Sequence, residues 1–232
     1  MATIIESDWE SGDGILDSLW EGETDTNSRL SENTSSLMWG AHCLYWSGST
    51  SSVGNVYKTF TATGTFGLRF GLHLVAESLA NGNIQRIVNL MNAGGPTSIV
   101  YANIVDVSGS IYLRVTCLDA GSTARTVGDV LISTGTNYQV VIKFDAALAS
   151  GCSFTVYAED GTTVIDEEKV LGYTTYNTDL VELRAGATGA TTYTLTHGID
   201  IVLLTDQYAY PATVTAEAPA VQPPILLRYE VY

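Results

Sequence analysis

Apolar and polar residues alternate with period two along most of the chain from about residue 37. In the run TFGLRFGLHLV the even positions from Phe66 to Leu74 are apolar, whereas Arg69 and His73 fall on the other face. The run YQVVIKFD repeats this pattern in an apolar row that begins at Tyr138. Alternation of this kind is typical of strands that bury one face. It predicts about a dozen strands and no long helix.

Turn sequences separate the alternating runs. They are NGN at 81–83, NAGGP at 92–96, VSGS at 107–110, EDGT at 159–162 and GATGA at 186–190. The runs on either side of Asp160 and Gly161 predict a hairpin. Short strands at even spacing indicate two antiparallel sheets that pack face to face. We place this all-β domain at residues 1–210.

The composition changes after residue 210, where four of the five prolines fall. This segment ends in the sequence AEAPAVQPPILLRYEVY, which is too short and too rich in proline to form a core. Residues 211–232 are therefore predicted to be an extended C-terminal arm that adds a strand to the exposed edge of a sheet. The residues predicted to make this assembly contact are Pro219, Pro223, Pro224, Ile225, Leu226, Leu227 and Tyr229.

Charge and cysteine content narrow the classes of partner. The chain has 25 acidic and 10 basic residues, a formal net charge of −15, which disfavours nucleic acid and anionic membranes as partners. No apolar run reaches the ~18 residues of a membrane span. The N-terminal sequence MATIIESDWESGD lacks the pattern of a secretory signal. The widely spaced Cys43, Cys117 and Cys152 predict buried free thiols in a protein made in a reducing compartment.

Signatures of common enzyme classes are missing from the sequence. It contains no HExxH, GxSxG or P-loop motif. The acidic run VIDEEKV places Asp166, Glu167 and Glu168 side by side, so that alternate carboxylates point to opposite faces of a strand. A retaining glycoside hydrolase needs two carboxyl groups about 5 Å apart on one side of the substrate. We therefore predict that the chain is not an enzyme.

Carbohydrate binding has more support, because sugar sites combine aromatic rings with polar groups. In the run LMWGAHCLYW, His42 and Trp46 share one face of a strand, and one of its two faces must belong to the core. Arg69, His73 and Arg114 lie opposite apolar rows. These five residues form a candidate glycan groove. The alternative is an ordinary solvated sheet face, which also carries some polar and aromatic residues.

The order of elements resembles the concanavalin A-like lectin/glucanase jelly rolls, in particular the laminin-G-like domains of phage and other viral structural proteins. IIESDWESGD resembles the first strand and acidic turn of these domains, and GCSFTVYAEDGTTVID resembles their later hairpin. The run STGTNYQVVIKFD has Tyr138 where the family has Trp, and GIDIVLLTD resembles the closing strand. The resemblance covers residues 4–206. It implies a two-sheet jelly-roll sandwich, no cofactor other than a structural calcium ion, and Glu6, Asp8 and Asp200 as ligands of that ion.

Two functions remain at this point. The first is a non-catalytic structural protein of a larger particle, namely a phage virion decoration or accessory protein of the capsid or tail. It would be located in the virion, anchored through the C-terminal arm to other subunits, as a homo-oligomer. The absence of an export signal and of a partner catalytic domain favours this reading. The alternative is a carbohydrate-binding module that attaches to host or environmental glycans.

Overall fold

The computed structural model of the chain describes residues 3–7, 9, 19–25, 28–34, 38–39, 42–48, 53–92, 97–148, 151–170, 179–188 and 194–206. The strands among these residues are β1 Thr3–Ser7, β2 Gly22–Asp25, β3 Leu30–Asn33, β4 Cys43–Gly48, β5 Gly54–Thr63, β6 Thr65–Glu77, β7 Ile84–Asn92, β8 Ser98–Val107, β9 Ser110–Leu118, β10 Ala124–Leu131, β11 Asn137–Asp145, β12 Cys152–Tyr157, β13 Val164–Lys169, β14 Leu180–Thr188 and β15 Leu195–Thr205. Across these ranges we find no helix that is long and apolar enough to cross a membrane.

The strands form two antiparallel sheets. The eight-stranded sheet has the order β13-β12-β11-β6-β15-β4-β3, with β1 added to β15. The seven-stranded sheet has the order β10-β9-β8-β7-β14-β5-β2. Neighbours in both sheets are often distant in sequence, as for β6 and β15. The predicted all-β jelly-roll sandwich is thus confirmed.

The core lies between the sheets and is built from the apolar rows that the alternation predicted. Phe66 of β6 stacks on Phe144 of β11 with ring centroids 5.5 Å apart, and both side chains are buried. Val100 and Leu113 belong to the same core from the seven-stranded sheet. Strands β12 and β13 pair as the predicted hairpin. All three cysteines are free and buried, as expected from their spacing.

Trp46 belongs to the core, and its predicted place in a glycan groove is wrong. Its side chain is 0% exposed and lies opposite His197 in the pairing of β4 with β15, with ring centroids 5.6 Å apart. A Cβ added at Gly54 would lie 2.7 Å from Trp46 Cδ1, so the glycine leaves room for the indole. Alternation in β4 turns Leu44 and Trp46 towards the core.

Candidate functional site

A polar surface occupies the outer face of the seven-stranded sheet. In β5, β8, β9 and β14 core-facing apolar residues alternate with outward-facing polar residues, and in β7 a bulge between Arg86 and Val88 keeps Arg86 and Asn89 on the outer face. We call the following set the polar face: Asn55, Tyr57, Arg86, Asn89, Tyr101, Asn103, Arg114 and Arg184. It combines guanidinium, amide and phenol groups on a sheet whose other side is the core.

Strand register sets these side chains in two cross-strand rows. In the first row, Arg114 of β9 lies opposite Asn103 of β8, which lies opposite Arg86 of β7. The second row crosses five strands and consists of Thr116, Tyr101, Asn89, Arg184 and Tyr57. Strands in a sheet are about 4.8 Å apart, so the second row is about 19 Å long. The rows therefore form an extended strip.

The amides of the polar face are buried and incompletely hydrogen-bonded. Asn55, Asn89 and Asn103 are 0%, 3% and 2% exposed. Each has a side-chain oxygen with no hydrogen-bond partner among the described residues, and the Asn55 side-chain nitrogen also lacks one. A buried polar group without a partner costs about 1–3 kcal/mol, so native proteins rarely keep one without a reason. Three such amides lie on this face, which makes it the candidate binding site.

Strands β5 and β14 approach each other closely at Asn55. Gly186 of β14 lies opposite Asn55 of β5 and has a φ of +113°, in a region that favours glycine. A Cβ at this position would lie 3.0 Å from Asn55 Cα. Gly186 thus lets the backbones of β14 and β5 come together beside Asn55.

The arginines of the polar face differ in their partners. Arg114 donates from Nε to Asp129 Oδ1 over 2.6 Å and from Nη2 to Asp129 Oδ2 over 2.5 Å, and these hydrogen bonds raise the pKa of Arg114. Arg184 Nε donates to Glu182 Oε1 over 2.5 Å. Two of the three guanidinium groups are therefore neutralised by carboxylates of the chain.

Arg86 has no carboxylate partner among the described residues. Its guanidinium carbon lies 3.8 Å from the centroid of the Tyr101 ring, and Nη1 donates to Ser98 Oγ over 2.7 Å. Its Nε is buried without a hydrogen-bond partner in the described part of the chain. Burial lowers the pKa of Arg86. Arg86, Asn89 and Asn103 were not predicted from the sequence. The alternation in YANIVD sets Asn103 off the core row, whereas strict alternation in QRIVNLM would set Arg86 on the face of Val88 and Leu90. A bulge between Arg86 and Val88 brings Arg86 and Asn89 to the same outer face instead.

The five residues of the predicted groove do not meet. Arg69 and His73 lie on the outer face of the eight-stranded sheet, while Arg114 lies on the outer face of the other sheet. Arg69 is 3% exposed, and its Nη1 donates to Gln139 Oε1 over 2.6 Å. The prediction of one groove is wrong because the sandwich core separates these two faces.

The other members of that prediction are held locally. His73 Nδ1 lies 2.5 Å from Asn137 Oδ1. His42 precedes β4 and contacts the carboxylate of Glu32 in β3. Neither histidine reaches the polar face through these contacts.

The predicted calcium ligands and the arm are largely outside the described residues. Asp200 is buried in β15, opposite Gly71 of β6. The side chain of Glu6 and the whole of Asp8 lie outside the described residues. The described part of the chain holds no group of three or more His, Cys, Asp or Glu residues placed to hold a metal ion. Residues 207–232 also lie outside it, so the calcium ion, the boundary at residue 210 and the arm stay predictions.

The sequence matches no protein-family model and no curated protein. Solved structures with a similar fold include the alginate lyase Aly36B, at 10% identity and a TM-score of 0.60 over 86% of this chain and 95% of that one. The cellulose-induced protein Cip1 matches at 13% identity and a TM-score of 0.61, over 90% of this chain and 100% of that one. The receptor-binding domain of botulinum neurotoxin type G matches at 11% identity and a TM-score of 0.52, over 90% of this chain and 49% of that one. At these identities the likeness shows the fold, a β-sandwich jelly roll consistent with the concanavalin A-like resemblance.

These structures overturn the prediction that the chain is not an enzyme. Alginate lyases are among the proteins that share its fold. The HExxH, GxSxG and P-loop motifs belong to hydrolases and nucleotide-dependent enzymes, so their absence does not exclude other chemistry on glycans. Nothing in the comparisons indicates a phage origin.

Proposed function

We propose that this protein binds a polysaccharide along the polar face of its seven-stranded sheet. The observation that carries the proposal is the set of buried side-chain oxygens of Asn55, Asn89 and Asn103 that have no partner among the described residues. Sugar hydroxyl groups can donate hydrogen bonds to these oxygens, and their oxygen atoms can accept from arginine. A polar ligand of this kind would remove the cost of the unpaired amides.

The shape and composition of the polar face support a chain-like ligand. The second cross-strand row runs over five strands, and Tyr57 and Tyr101 add half-buried rings to it. Aromatic rings pack against the apolar faces of sugars, while amides and guanidinium groups bind their polar edges. One alginate lyase with this fold has been solved in complex with alginate trisaccharide, which supports a polysaccharide as the class of ligand.

Binding can be tested by isothermal titration and affinity gel electrophoresis against alginate, hyaluronate, polygalacturonate, xylan and soluble cellulose derivatives. We expect at least one polymer to bind. Asn103→Ala should weaken that binding about tenfold, because a lost hydrogen bond of about 1.4 kcal/mol corresponds to a factor of ten.

Asn137→Ala is the matched control, since Asn137 is an amide at the opposite sheet, where it donates to Glu159 Oε1 over 2.8 Å. This variant should bind as the wild type does. The proposal fails if no polymer binds, or if Asn103→Ala and Asn137→Ala bind equally well while both remain folded by circular dichroism.

Cleavage of the bound polysaccharide is a second candidate function. Tyr57 lies directly opposite Arg184, and Tyr101 lies opposite Asn89, so phenol groups stand beside a cation and an amide in one row. A phenol can transfer a proton to or from a substrate, and guanidinium and amide N–H groups can donate hydrogen bonds to an oxygen that gains negative charge. Loss of viscosity in a solution of the bound polymer would reveal cleavage, and Tyr57→Phe should abolish it. Binding without any loss of chain length would exclude this function for that polymer.

A further inference from the structure

We propose that the polysaccharide is acidic and that Arg86 binds its carboxylate groups. This inference rests on the proposed function of the polar face and adds the chemical class of the sugar. It follows from the surroundings of Arg86, from the pairing of the neighbouring arginines, and from the position of Arg86 in the first cross-strand row.

Arg86 has a hydrogen-bond donor that finds no partner among the described residues. A guanidinium group has five N–H donors in a planar fork. Among the described residues, Arg86 uses Nη1 for Ser98 Oγ, and its charge faces the Tyr101 ring, which offers attraction but no negative charge. Its Nε is buried and without a partner there. A carboxylate is the group that fits such a fork with two parallel hydrogen bonds.

The other two arginines of the polar face have carboxylate partners in the chain. Asp129 pairs with Arg114 and Glu182 pairs with Arg184. Both arginines have already gained the stabilisation of a carboxylate. A partly buried charge without a counter-ion raises the free energy of the protein, because the charge has lost part of its hydration. A carboxylate supplied by a ligand would therefore stabilise Arg86 more than it would stabilise Arg114 or Arg184.

Arg86 lies directly opposite Asn103, whose buried side-chain oxygen has no partner in the described part of the chain. The pair therefore offers donors for a carboxylate next to an acceptor for a hydroxyl group, a combination found on the ring of a uronic acid. A neutral sugar would satisfy Asn103 and leave the charge of Arg86 uncompensated.

The net charge of −15 does not prevent a polyanion from binding here. Salt screens exposed charges over a Debye length of about 8 Å at physiological ionic strength. Within the two rows and their ion pairs, Arg86, Arg114 and Arg184 stand against two carboxylates, those of Asp129 and Glu182. The polar face is thus locally cationic on an acidic protein.

The test compares acidic polymers with the same polymers after their carboxyl groups have been esterified. Polygalacturonate, alginate and hyaluronate are each used in both forms, with neutral xylan and a soluble cellulose derivative as further ligands. We expect one acidic polymer to bind the wild type at least tenfold more tightly than its ester. Arg86→Gln should abolish this preference, and Arg86→Lys should keep part of it, because lysine retains the charge but not the fork.

Arg125→Gln is the matched control, because Arg125 pairs with Asp119 through an Nε to Oδ2 hydrogen bond of 2.7 Å and is not part of the rows. It should bind all polymers as the wild type does. Equal binding of acid and ester, binding of neutral polymers alone, or an unchanged preference in Arg86→Gln would overturn the inference and leave the proposed function standing. If neither the acidic polymers, their esters nor the neutral polymers bind, the proposed function itself fails.

Discussion

The buried His197 makes the stability of this protein sensitive to moderate acid. Its side chain is fully enclosed beside the Trp46 ring, and neither ring nitrogen has a hydrogen-bond partner among the described residues. Burial penalises the charged form and lowers the pKa of His197 to about 3. In the unfolded chain the pKa of a histidine is about 6.5.

The direction of the effect follows from proton binding. Below pH 6.5 the unfolded chain takes up a proton at His197, whereas the folded protein does not do so until about pH 3. Stability from this group is therefore complete above pH 6.5 and falls as the pH drops towards 3. The loss is about 1.4 kcal/mol per pH unit and reaches about 5 kcal/mol in total. Many domains have a total stability of only about 5–15 kcal/mol.

Urea unfolding at several pH values between 7 and 4 measures this effect. His197→Leu removes the titrating group and keeps an apolar side chain, so its loss of stability over this range should be smaller than that of the wild type by about 3 kcal/mol. Ile199→Val is the control, because it trims the same strand by one methylene, costs about 0.5–1.5 kcal/mol at every pH and leaves the histidine in place. If the His197→Leu variant loses stability with pH as steeply as the Ile199→Val variant, the reasoning is refuted.

Two further predictions concern packing. Gly71→Ala should lower the free energy of unfolding by about 1–3 kcal/mol, because the new Cβ would lie 2.9 Å from Trp39 Cε3. Gly64→Ala is the control and should have a much smaller effect, because its Cβ would meet its neighbours only at 3.7 Å. Equal losses of stability in thermal unfolding of the two variants would contradict the prediction. Trp46→Ala should lower the free energy of unfolding by about 3–5 kcal/mol through loss of a core side chain. The protein that stays folded should bind polysaccharide as the wild type does. A loss of binding by this folded protein would show that Trp46 has a role beyond the core.

Local pattern was sufficient to predict most of the secondary structure. The apolar rows of β6, β9 and β11 and the hairpin of β12 and β13 were all predicted, because successive side chains of a strand point to opposite faces and this period is visible in a single run. The alternation also separated Arg69 and Arg114 from the apolar rows. It carried no information on which sheet each strand would join.

The candidate site depended on pairings between distant parts of the chain. β14 places Arg184 beside Asn89 of β7 and Tyr57 of β5, although these residues are far apart in sequence. The same pairings bury Asn89 and decide that its oxygen lacks a partner among the described residues. Burial and hydrogen bonding are properties of neighbours in space, so no local pattern could have predicted them.

The sequence by itself determined that the chain is a sandwich of alternating strands with an acidic surface and buried free thiols, since these properties follow from residue type and period. Only the tertiary structure decided which polar residues share a face. It placed Trp46 in the core against His197 and set Arg69 and Arg114 on opposite sides of the molecule. The physical reason is that alternation specifies two sides of a strand, whereas the packing of one sheet on another decides which side is inside and which strands become neighbours.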